Sequence, residues 1–160
     1  MIADAQDRTV PAAARIAGLS RRFGVEISDA EIRQWIPVLL ALERMDEALT
    51  EMLEGCAALS DGQLPELGEA FEIPSEQLLV YLLYRHMPRA LDDFMVRERA
   101  LFCVLMTMLV RALWRAQLAL TGRCDLDDMV EICRLFSAEI EYSDENFYAI
   151  ADRIRERFPE

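Results

Sequence analysis

Apolar residues recur at intervals of three and four along most of this chain, and no run alternates apolar with polar residues at period two. The first pattern lays one buried stripe along an α-helix, whereas the second is what a half-buried strand requires. The sequence therefore predicts an all-α, single-domain helical bundle of about five or six helices over residues 1–160, with no sheet. At 160 residues, 53% of them hydrophobic, the chain can bury one core without disulfides or metal.

Stop and start signals divide the pattern. A short N-terminal helix is expected within residues 1–26, from about Val10 to Phe23, ending at Gly24. Ser28 and Glu31 have capping-box spacing and open a longer helix over 28–58. Its stripe holds Ile32, Trp35, Ile36, Leu39, Leu42, Met45, Leu49, Met52 and Leu53, and Pro37 should kink it or split it into two shorter helices. The stretch Leu59–Pro74, rich in Gly and Pro, reads as the longest loop, with a single turn inside. Ser75 caps the next helix, which ends near Pro88; an apolar helix from about Val96 to Leu120 stops at Gly122. Asp125 caps the last helix, which would be about 48 Å long if unbroken from Leu126 to Arg157.

The chain carries 29 acidic residues against 17 basic ones, all of the latter arginine, for a net charge of −12. Nucleic-acid binding needs a basic patch, and an anionic membrane surface repels such a chain, so neither partner is expected. Arg111 and Arg115 interrupt the Ala100–Leu120 stretch, which therefore reads as a buried core helix. The N-terminus has no basic start followed by an apolar run, so no signal peptide is expected and the location predicted is cytoplasmic.

Cys56, Cys103, Cys124 and Cys133 are widely spaced with no C-x-x-C pair, so no zinc or redox motif is written here and no metal or cofactor is expected. Cys103 and Cys133 sit at apolar helix positions and read as core residues. His86 is the only histidine, and a nucleophilic triad or metal site could be built only around it. A packed helix-end histidine is the commoner use. Glu139 and Glu141 lie two apart and point to different sides of a helix, so they are not a carboxylate dyad on one face, and a surface position is the simpler reading of either acid. Ser137 falls near the buried stripe, where its hydroxyl would bond back to a helix carbonyl. Met87, Met95, Met106 and Met108 read as core gap-fillers more readily than as a binding surface.

Two stretches, Leu78–Ala90 (LLVYLLYRHMPRA) and Arg134–Asn146 (RLFSAEIEYSDEN), together with the apolar helix and Gly122 turn between them, resemble the C-terminal helical region of the flagellin lysine-N-methylase family. Leu42-Glu43-Arg44-Met45-Asp46 is similar to its upstream helix, so the resemblance spans roughly Leu39 to Ile154, with residues 75–158 as its core. Ser137-Ala138 stands where the family pattern has Ser-Arg. The family's chemistry is associated with an N-terminal cluster of closely spaced cysteines holding a metal centre, and this sequence contains no such cluster.

The resemblance implies a helical substrate-recognition or scaffolding module that does not methylate by itself. Its expected binding residues are Arg85, His86, Ser137, Glu139, Glu141 and Asn146, with no catalytic and no metal-binding residue. Arg85 is expected to pair with Glu139 or Glu141. Flagellin or another lysine-bearing protein is the implied partner, and a homodimer stays open. The alternative is a stand-alone helical protein–protein interaction domain unrelated to methylation.

Overall fold

The computed structural model describes residues 1–43 and 46–159, apart from the Asp61 side chain. It is all-α, with no strand among the described residues. The contacts divide the chain into two compact units. The first comprises residues 1–28, 67–108 and 151–160, and the second residues 29–66 and 109–150.

In the first unit, α1 (Ile2–Ala5) and α2 (Ala12–Arg21) pack on each other and on a later helix, Glu72–His86. Pro11 precedes α2, as suits a residue with no N–H to leave unpaired. Gly24 closes the turn after α2 with a φ of 70°, the left-handed conformation that a β-carbon disfavours. Ala5, Ile16, Leu19, Leu79, Leu82 and Leu83 form its apolar interior, with Leu101, Phe102 and Leu105 from a long later helix.

In the second unit, α3 (Asp29–Leu40) and α4 (Glu47–Ala58) replace the single 28–58 helix that the stripe suggests. Pro37 lies inside α3, which ends three residues later at Leu40, and Asp46 starts the next helix by accepting a hydrogen bond from the Ala48 N–H at 2.8 Å. Met45 of the stripe, and the Arg44-Met45 pair of the Leu42–Asp46 segment, lie outside the described residues. Glu31 is buried and accepts from the Trp35 indole at 3.2 Å.

The loop predicted over Leu59–Pro74 contains two 3-10 turns, Asp61–Gln63 and Glu69–Phe71. In the second unit, Arg115 holds part of it: its guanidinium donates to the carbonyls of Pro65 at 2.8 Å and Leu64 at 3.1 Å and to Asp29 at 2.7 Å. In the first unit, α5 (Glu72–His86) starts before Ser75, so that residue is not its cap. Ser75 is buried inside the helix, where its hydroxyl donates to the Phe71 carbonyl at 2.6 Å. A 3-10 turn over Met87–Arg89 and the short α6 (Ala90–Asp93) follow directly.

The apolar helix α7 (Val96–Thr121) ends at Gly122, whose φ is 76°. It is the one helix among the described residues long and apolar enough to cross a membrane, and 67% of that window is buried, as in a core helix. The last predicted helix is broken. α8 (Leu126–Phe136) starts with the Asp125–Asp128 capping box, a π-helical turn occupies Ser137–Glu141, and α9 (Asp144–Arg157) follows. The helical segments outnumber the five or six expected because apolar periodicity runs across short interruptions, the longest of them the six residues 41–46 between α3 and α4.

Candidate functional site

The π turn holds three of the six residues singled out in the sequence, and a fourth, Asn146, bonds to it from α9. Its defining bond runs from the Tyr142 N–H to the Ser137 carbonyl at 3.1 Å, one residue wider than an α-helical step. Ile140 at its centre is wholly buried, so the turn is anchored in the apolar interior. The extra residue shifts the helix phase, and Glu139 and Glu141 are both carried out of solvent, at 6% and 5% exposure. Reading these acids as surface residues is thereby overturned.

Ser137 does not bond back to a carbonyl as expected. Its hydroxyl donates to the Glu141 carboxylate at 2.6 Å, a charge-assisted bond that satisfies part of a buried acid. Asn146 is also buried. Its amide donates to the Glu139 carbonyl at 2.7 Å and to the Glu43 carbonyl at 3.0 Å, and its backbone N–H donates to Ser143 Oγ at 3.1 Å. Asn146 therefore fixes the start of α9 to the π turn and to the chain leaving α3. Arg134, one turn earlier on α8, pairs with Glu131 at 2.7 Å on the surface.

Arg85 and His86 belong to the first unit, where they close α5. His86 is 3% exposed, and its ring lies 4.8 Å from that of Phe102 in a tilted stack, which is the packed helix-end histidine. Met95 and Met106 are buried, as gap-fillers should be.

The first unit also holds a buried ionic network that no local sequence signal announces. Arg15, Glu72 and Glu76 meet at the packing of α2 on α5. Arg15 donates to Glu76 at 2.7 Å, Arg8 donates to the same carboxylate at 2.8 Å, and Glu72 accepts from the Ala12 N–H at 2.6 Å. The hydrogen bonds from Arg8, and then from Arg15, hold the Glu76 carboxyl down to about 2 although burial pushes it the other way. Beside Arg15, a cleft of about 240 Å³ is lined by Asp4, Asp7, Val10, Gly18, Leu19 and Arg22. Arg22 bridges it to Asp4 at 2.9 Å.

Charge is divided unevenly between the units. The first has 12 acidic residues and 11 arginines, net −1; the second has 17 acidic residues and 6 arginines, net −11. On α4, Glu47, Glu51 and Glu54 are exposed at helical spacing and form an acidic stripe. On α8, the exposed Leu126 and Val130 stand beside Asp127 and Glu131.

A metal centre of the kind the family resemblance implies finds no ligand set: no group of three or more His, Cys, Asp or Glu residues is placed to hold an ion among the described residues. Burial pushes the thiols of Cys124 and Cys133 up to about 11, away from the thiolate form that metals require. Compared with known protein families, curated proteins and solved structures, the chain matches none.

Proposed function

We propose that this chain is a recognition or scaffolding module of a flagellin lysine-N-methylase-like protein, and that it holds a lysine-bearing segment of its protein substrate against the acidic second unit. The observation that carries this reading is the −11 charge confined to residues 29–66 and 109–150, with its exposed Glu47, Glu51 and Glu54 stripe. Such a surface attracts a cationic segment and orients it, speeding encounter more than it deepens affinity. The buried Ser137–Glu141 and Asn146–Glu139 bonds hold the π turn of the same unit in place. Methyl transfer itself is left to another polypeptide or segment bearing the metal centre.

Titration of the full chain with flagellin tests this. Binding should weaken with salt, with acetylation of the flagellin lysines, and in the Glu47→Gln, Glu51→Gln, Glu54→Gln triple variant. Equal binding of acetylated flagellin would remove the lysine-recognition reading. The rival, an interaction domain unrelated to methylation, is favoured by the exposed Leu126 and Val130 within the acidic surface, at 64% and 58% exposure. They would suit the apolar face of a basic partner helix. On that reading Val130→Asp abolishes binding of such a helix while flagellin is ignored.

A further inference from the structure

α5, the 3-10 turn and α6 form one right-handed helical run from Glu72 to Asp93, with no extended residue between them. Its inner face holds Leu79, Leu82, Leu83, His86 and Ala90 in the first unit's interior. Its outer face is also apolar. Ile73, Tyr81, Tyr84 and Leu91 are 57%, 43%, 63% and 82% exposed, and with Gln77 and Pro88 they follow one another at steps of three and four, which places them on a single stripe.

Phe94 follows three residues after Leu91, just past the end of α6, and is the most telling exposed residue here. It is the C-cap of α6 with φ 59° and ψ 15°, the left-handed conformation usually left to glycine. Its N–H donates to the Ala90 carbonyl at 3.0 Å, and the neighbouring Asp93 fixes the turn by accepting from the Met95 N–H at 3.1 Å and from Arg99 Nε at 3.0 Å. The Phe94 side chain is 85% exposed. Within one copy, phenylalanine here strains the backbone and gains nothing by burial. It gains only when something covers it.

We infer that the Tyr81–Tyr84–Leu91–Phe94 stripe pairs with the same stripe of a second copy, antiparallel about a two-fold axis near Pro88. Three observations select a copy of this chain as the occupant. The spacing is self-complementary, since reversal about that axis sets Tyr84 opposite Leu91 and Tyr81 opposite Phe94, as an isologous contact demands. The unit that carries the stripe is net −1, and the stripe's borders carry both signs in Arg85, Arg89 and Asp92, so the two faces meet without net repulsion between them. The stripe offers roughly 600 Å² of apolar surface per copy, the lower end of what a specific interface buries, so the dimer is weak and concentration-dependent.

Sedimentation equilibrium of the full chain across roughly micromolar to millimolar concentration tests it. The expected result is a monomer–dimer equilibrium that high salt does not dissolve. Leu91→Arg and Phe94→Gly should each weaken it about tenfold or more with the helical signal intact, and Leu126→Arg, on the second unit, should leave it unchanged. With an added thiol oxidant to accept the two electrons, Pro88→Cys should form a disulfide-linked dimer, while Ile73→Cys, far from the axis, should not. A monomer at every concentration overturns the inference. So does a dimer that survives Leu91→Arg, or one that Leu126→Arg abolishes.

Discussion

The Arg15 guanidinium donates across 2.7 Å to the Glu76 carboxylate, with the two side chains only 4% and 2% exposed. Arg15 also donates to the Ala5 carbonyl at 2.5 Å, so one side chain joins α1, α2 and α5. Removing Arg15 strips the Glu76 carboxylate of its buried partner and leaves it to the exposed Arg8 alone. Arg15→Ala should therefore cost about 3 to 5 kcal/mol in urea denaturation. Arg8, which reaches the same carboxylate from a 62% exposed position, should cost far less when replaced.

The same network predicts an acid limb. Glu76 is held down from 4.5 to about 2, so in the folded chain it takes up its proton only at lower pH than in the unfolded chain. Its contribution is complete above the ordinary value of 4.5 and is lost as pH falls from there towards 2. Asp93, held down chiefly by its hydrogen bond from Arg99, acts in the same direction. Stability measured against pH should fall over this window, and Glu76→Gln should flatten the fall. An unchanged slope in that variant would assign the limb to other acids.

Phe94→Gly should raise stability. The substitution relieves a left-handed φ that costs a side chain about 1 to 2 kcal/mol and gives up a ring that packs on little, while glycine's freedom in the unfolded chain returns part of the gain. A rise in Tm of about 2 to 4 °C per kcal/mol is the expected readout at this length. A clear loss of stability would mean the ring packs within its own chain.

At the π turn, Asn146→Asp should be more damaging than Asn146→Ala. Alanine removes the two donors that satisfy the Glu139 and Glu43 carbonyls, at about 1 to 3 kcal/mol for each buried acceptor left alone. Aspartate removes them and adds a charge facing those carbonyls. Thermal melts of the two variants would reverse this order only if the turn opens to water.

The cysteines should react slowly in the native chain. Burial pushes Cys56 up, and pushes Cys124 and Cys133 up to about 11, where almost none is thiolate at neutral pH. Alkylation at pH 7.5 should be slow until denaturant is added. Rapid native labelling of any of the three would show an opening that exposes it.

The sequence by itself determined those features that depend on residues a few positions apart. The helical periodicity, the Asp125 cap and the stops at Gly24 and Gly122 are all set within about one turn of chain, so their chemistry is legible in order. Even the breaks it missed are local ones, since Asp46 after α3 and the Ser137–Glu141 bond were written in the sequence but overshadowed by an apolar stripe that runs through both. Only tertiary structure decided the rest. Arg15 finds Glu76 61 positions away, Asn146 finds the Glu43 carbonyl 103 positions away, and a net charge of −12 is sorted into −1 and −11. Burial of Glu139 and Glu141, like exposure of Phe94, depends on which helix faces are covered. Residue order does not specify that until distant segments pack, because desolvation is a property of the surroundings rather than of the residue.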